Sequence, residues 1–158
     1  MEKNKIRLTL QQAKPKIEYY CNYQERCQSE VKDKLYSFGL DTDDVNELLA
    51  YVVKSGLVNE ERFAALFAGG KFRQKHWGRE KIKRELRYRQ ISDYCIKKAM
   101  TEIDDEAYIK TLENLAEKYY FGLKDRLKYI KAGKTMQHLL VKGFEADLIN
   151  DVLKRIGE

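Results

Sequence analysis

Proline is almost missing from this chain: Pro15 is the only one, so no Pro-rich linker divides it. No apolar run approaches the ~20 residues that a membrane-spanning helix needs. The first residues, MEKNKIRLTL, contain no apolar stretch followed by a small-residue cleavage site, so they do not read as a signal peptide. Cysteine is sparse and odd in number. Cys21, Cys27 and Cys95 show no CxxC spacing, which argues against a disulfide framework or a zinc site and for a reducing cytoplasm. His76 has no second ligand at metal spacing, and His138 sits among apolar neighbours, which reads as a helix-interface residue and not a catalyst. Phosphate-binding, dinucleotide-binding, zinc-protease and serine-hydrolase signatures are all absent. The expectation is a cytoplasmic non-enzyme without cofactor, metal, membrane or small-molecule substrate.

What the chain does have is repetition. Leu35, Leu40, Val45, Leu48 and Leu49 recur as Leu86, Ile91, Ile96, Ala99 and Met100, and again as Leu139, Phe144, Ile149, Val152 and Leu153. The internal spacing is +5, +10, +13 and +14 each time, with 51 and then 53 residues between copies. Fixed-period self-similarity marks a stack of supersecondary units, each too small to close a core alone. Such stacks present long surfaces to partners more readily than they build catalytic clefts.

The local pattern is helical. Five apolar pairs stand five residues apart around a polar residue: Leu40/Val45, Val58/Phe63, Ile91/Ile96, Ile103/Tyr108 and Phe144/Ile149. This is the spacing of a hydrophobic staple across a helix N-terminus. The intervening caps are Asp41, Asn59, Ser92, Asp104 and Glu145. The first four are strong N-cap types; Glu145 is the weak one. Gly39, Gly56 and Gly143 fall where helices should end. These signals predict nine short helices near 15–28, 29–38, 42–55, 60–74, 78–89, 93–101, 105–120, 124–142 and 146–156. Pro15 is placed in the first turn, Gly69–Gly70 at an early break of the fourth helix, and Gly133 at a kink in the eighth. The reading is an all-α fold of three tandem three-helix repeats in an elongated, curved, solenoid-like chain. Residues 1–14 form a loosely held arm, 15–57 repeat 1, 58–103 repeat 2 and 104–158 repeat 3.

Charge is concentrated. The chain carries 31 Lys and Arg against 25 Asp and Glu, a net +6. Between Lys71 and Arg89 lie nine basic residues (Lys71, Arg73, Lys75, Arg79, Lys81, Lys83, Arg84, Arg87, Arg89) opposed only by Glu80 and Glu85. That segment holds +7 and the remainder −1. On a helical wheel Ile82 and Leu86 mark the buried side. Glu80 pairs with Arg84, and Glu85 with Arg89, at i,i+4. Arg79, Lys83 and Arg87 are left as an unpaired stripe. A solvated face is the ordinary fate of a charged helix, but this density points to a polyanion, either nucleic acid or an acidic protein surface. The candidate binding residues are Lys71, Arg73, Lys75, Trp77, Arg79, Lys83, Arg84, Arg87 and Arg89. Trp77 suits either stacking on a partner or plugging the joint between repeats. The eleven tyrosines fall at helical spacing and read as core and rim residues, not a stacking platform.

At these residues the chain resembles the RecX family of bacterial regulators of the recombinase RecA. The resemblance runs through Val58–Asn59–Glu60–Glu61–Arg62–Phe63–Ala64, Trp77–Gly78–Arg79, and Lys81–Ile82 to Glu85–Leu86 and Ile91. A first-repeat pattern is matched by Arg26, Ser29, Glu30, Lys34 and Leu35, and a closing pattern by Gly143–Phe144 and Ile149–Leu153. Two positions depart from the family: Gln90 stands where Gly is usual, and Cys27 where a polar or aromatic residue is commoner. The resemblance implies three three-helix units that bind in the helical groove of the RecA–single-stranded-DNA filament. It further implies lowered ATP hydrolysis and strand exchange. The alternative from the residues alone is a helical protein that binds nucleic acid directly through repeat 2, single- or double-stranded.

Overall fold

A computed structural model describes residues 7–157. The described residues form nine helices and no strands: α1 Leu10–Tyr23, α2 Gln28–Ser37, α3 Thr42–Lys54, α4 Glu60–Lys75, α5 Arg79–Tyr88, α6 Asp93–Met100, α7 Asp105–Gly122, α8 Lys128–Lys142 and α9 Ala146–Ile156. The cap side chains explain most of the boundaries. Asp41, Asn59, Ser92 and Asp104 each accept a hydrogen bond from the backbone N–H three residues on. All ten staple residues are buried. Gly39, Gly56 and Gly143 end their helices at φ +82°, +80° and +99°, the left-handed region that favours glycine.

Several local expectations are corrected. The first helix begins at Leu10, not near 15, because Thr9 and Gln12 form a reciprocal capping box. Pro15 therefore sits in the second turn, where its ring removes one backbone donor. Residues 7–14 are not a loose arm: the Leu8 N–H donates to the Phe38 carbonyl at 2.9 Å, and Ala13 is fully buried. Ile6, part of the supposed arm, lies outside the described residues. The fourth helix does not break at Gly69–Gly70 but continues to Lys75. The eighth starts at Lys128 and passes Gly133 unbroken.

Helices pack in sets of three: α1 with α2 and α3, α4 with α5 and α6, α7 with α8 and α9. The repeating skeleton is the core of each set. In every copy the first four positions are buried and the fifth is partly buried. The accessible surface is 10703 Å², whereas a compact chain of 18.7 kDa exposes roughly 8,300 Å². The excess fits repeats strung along the chain. The buried residues form two clusters. One holds the core of repeat 1 together with Val58; the other takes in Cys27 from repeat 1 and runs continuously through repeats 2 and 3, joined by the ring series Phe72–Tyr108–Phe144 at 5.8 and 5.2 Å.

Candidate partner-binding interface

The basic segment spans the end of α4, its connection to α5, and α5 itself. The connection is anchored by repeat 3. The Gly78 N–H donates to the Lys142 carbonyl at 2.8 Å, and the Glu80 N–H to the Gly143 carbonyl at 2.9 Å. Between them the Arg79 N–H donates to the Tyr108 hydroxyl at 3.0 Å. First-turn amides of α5, which have no partner in their own helix, are thus satisfied by another repeat. The backbones approach so closely that a Cβ on Gly78 would lie 2.2 Å from the Gly143 carbonyl carbon. Only glycine fits.

Arg79 is the centre of this joint and not part of a free stripe. Its Nη1 binds Glu145 Oε2 at 3.0 Å and its Nη2 binds Asp105 Oδ1 at 2.6 Å. Its guanidinium also lies 3.8 Å over the Tyr108 ring. Tyr108 is fully buried, and its hydroxyl donates to Glu145. Burial first, then the Glu145 acceptor, hold its phenol well above the usual tyrosine range. Glu145 makes no side-chain cap for α9, because its carboxylate is taken up by Arg79 and Tyr108. The helical wheel missed this because the acids that pair with Arg79 lie in repeat 3.

The other candidates divide into pinned and outward residues. Arg89 joins repeat 2 to repeat 1: it pairs with Glu85 at 3.0 Å and Glu30 at 3.8 Å. Its carbonyl accepts the Ser29 hydroxyl at 3.1 Å. Trp77 is half-buried, edge-on to Phe67 at 6.3 Å, with the Lys71 and Lys81 ammonium groups 5.0 and 4.4 Å from its ring centre. Lys83, expected to be free, lies 3.8 Å from Glu80, which leaves Arg84 rather than Lys83 without an acid. Arg73, Lys75, Arg84 and Arg87 are exposed and have no acid within ion-pair distance among the described residues. These four are the part of the predicted set that is open to a partner.

Sequence reading also passed over two features. Residues 118–134 carry six basic residues against Asp125 alone, a second positive stretch beside exposed Phe121, Leu127 and Tyr129. And while Tyr108 and Tyr120 are core residues, Tyr19 and Tyr23 are each 71% exposed. Among the described residues no helix is long and apolar enough to cross a membrane, and no cluster of metal-ligating side chains occurs.

Two stretches of the chain match known domains. Residues 59–100 match the second three-helix domain of RecX, and residues 106–153 match the third. The chain belongs to the RecX family. It is 31% identical over 142 residues to the regulatory protein RecX of Lactococcus lactis subsp. lactis (strain IL1403), covering 87% of this chain and 52% of that protein. It is 29% identical over 133 residues to the regulatory protein RecX of Clostridium perfringens (strain 13 / Type A), covering 83% and 62%. The chain thus spans between half and two thirds of the length of these RecX relatives. The crystal structure of RecX from Lactobacillus salivarius superposes with a TM-score of 0.83 at 25% identity, covering 94% of this chain and 96% of that one. The joint at Trp77–Gly78–Arg79 lies inside the matched second RecX domain.

Proposed function

We propose that this chain is a non-enzymatic regulator of a RecA-type recombinase. It lies in the groove of the RecA–single-stranded-DNA filament and lowers ATPase and strand-exchange activity. Membership of the RecX family, whose relatives above are named regulatory proteins, carries this reading. The basic end of repeat 2 supports a mechanism for it. The joint fixes the start of α5, so Arg84 and Arg87 are presented from a pinned helix, with Arg73 and Lys75 at the end of α4. Free cations on fixed helices speed association with an anionic surface and set register more than they add affinity.

The test is the single-stranded-DNA-dependent ATPase of the cognate RecA, titrated with this protein at two salt concentrations. Inhibition should appear well below the stoichiometry that would sequester the DNA. Charge reversal of Arg73, Lys75, Arg84 and Arg87 should raise the half-inhibitory concentration about tenfold or more, with the melting temperature nearly unchanged. Arg79 is left out of that variant because it is structural. Inhibition that only tracks DNA sequestration and vanishes steeply with salt would sink the regulator reading in favour of a plain nucleic-acid binder.

A further inference from the structure

Repeat 1 lies outside the two matched domains and carries a feature that the recombinase reading does not use. A trough of about 600 Å³ runs along α1 to the C-terminal end of α2. Its aromatic residues are Tyr19, Tyr20, Tyr23 and Phe38; its charged residues are Lys16, Arg26 and Lys34. No carboxylate lines it. None of its lining residues is buried, so it is an open channel and not a closed slot for one side chain.

The trough is pre-organised. Pro15, Tyr19 and Tyr23 are spaced i,i+4,i+8 on α1, which aligns them along one side of the helix. The Tyr19 and Tyr23 rings lie 6.2 Å apart at a 39° tilt, each 71% exposed. Arg26 is fixed beside them: its Nε donates to the Tyr20 carbonyl at 3.1 Å, and its guanidinium lies 3.7 Å over the Tyr20 ring. The Lys34 ammonium lies 5.4 Å from the Tyr20 ring centre and 5.7 Å from that of Phe38. Open ring faces beside a row of unopposed cations match a strand whose bases and phosphates are both accessible. A duplex hides its base faces, and an acidic peptide has no use for two flat rings standing in solvent. We propose that this trough binds single-stranded nucleic acid, stacking bases on Tyr19 and Tyr23 and holding phosphates with Lys16, Arg26 and Lys34.

The test uses the full chain and a fluorescein-labelled oligo(dT) read by anisotropy, with a matched strand carrying an internal 2-aminopurine to report stacking. Tyr19→Ala with Tyr23→Ala should weaken binding about tenfold per ring and abolish the 2-aminopurine quench. Tyr19→Phe with Tyr23→Phe should restore both, because the ring is kept. Lys16→Glu with Lys34→Glu should weaken binding and flatten its salt dependence. The repeat 2 charge-reversal variant should retain the quench, and the tyrosine double variant should retain inhibition of preformed filaments. This separates failure of the trough from failure of the recombinase reading. The proposal is overturned if the wild-type chain does not bind the oligonucleotide or if the alanine variant binds as tightly as wild type. It is equally overturned if an acidic peptide ending in Phe occupies the trough while the oligonucleotide does not.

Discussion

Arg79 illustrates how one residue type serves two ends within a single basic segment. Two carboxylates, an aromatic face and limited exposure hold it, and removing it leaves the partly buried Glu145 without its cation, while the exposed Asp105 is left to solvent. Arg79→Ala should destabilise the protein by about 2–3 kcal/mol, read by chemical denaturation, whereas Arg87→Ala should change stability by less than about 0.5 kcal/mol. Gln90 is a second informative position. It adopts φ +61°, a conformation that costs a non-glycine residue roughly 1–2 kcal/mol, partly offset by glycine's greater unfolded-state freedom. Gln90→Gly should therefore stabilise the fold by up to about 1 kcal/mol, and an unchanged denaturation midpoint would refute the strain argument. His138 stacks on Tyr119 at 4.0 Å. Burial, then the nearby Lys142 charge, push its pKa below the ordinary histidine value. Its neutral form is favoured by folding, so its contribution is fully present above about pH 6.5 and is lost as pH falls through the lower folded-state value. Wild type should lose more melting temperature than His138→Gln between pH 7 and pH 5.

At the scale of elements, what was legible from the sequence was what is local. Asp41, Asn59, Ser92 and Asp104 cap helices through bonds that span three residues, and a pattern of that reach can be read directly. The staples and the three terminal glycines belong to the same class. The start of α1 is harder to read because Pro15 and the Thr9–Gln12 capping box are competing start signals, and the capping box sets the boundary. The binding stripe was misread for a different reason. Arg79 meets Asp105 and Glu145, which lie 26 and 66 residues away, and no helical wheel of α5 contains them. Four of the nine candidate residues are nonetheless exposed and free. The exposed tyrosines of α1 were passed over because i,i+4 spacing alone does not say which stripe of a helix faces the core. Gly78 makes the sharpest prediction at this scale. Gly78→Ala places a methyl group against the Gly143 backbone, so it should destabilise repeats 2 and 3 by 2 kcal/mol or more (~2–4) while leaving α1–α3 folded.

For the whole molecule, the division of the core into two clusters sets the cooperativity. Apart from Cys27, which is buried with repeats 2 and 3, repeat 1 has its own buried set, while repeats 2 and 3 share theirs through Phe72, Tyr108 and Phe144. Leu35 is fully buried in the first cluster. Leu35→Ala should cost about 2–5 kcal/mol and act on repeat 1 alone. Hydrogen exchange read by mass spectrometry should then show protection lost over 10–54 and kept over 60–156; uniform loss would mean that the chain unfolds as one unit.

The bonds from Gly78 and Glu80 to the carbonyls of Lys142 and Gly143 also set where the chain can be cut. A fragment that ended at residue 103 would leave both amides at the start of α5 without their acceptors. For excision, repeats 2 and 3 are a single piece.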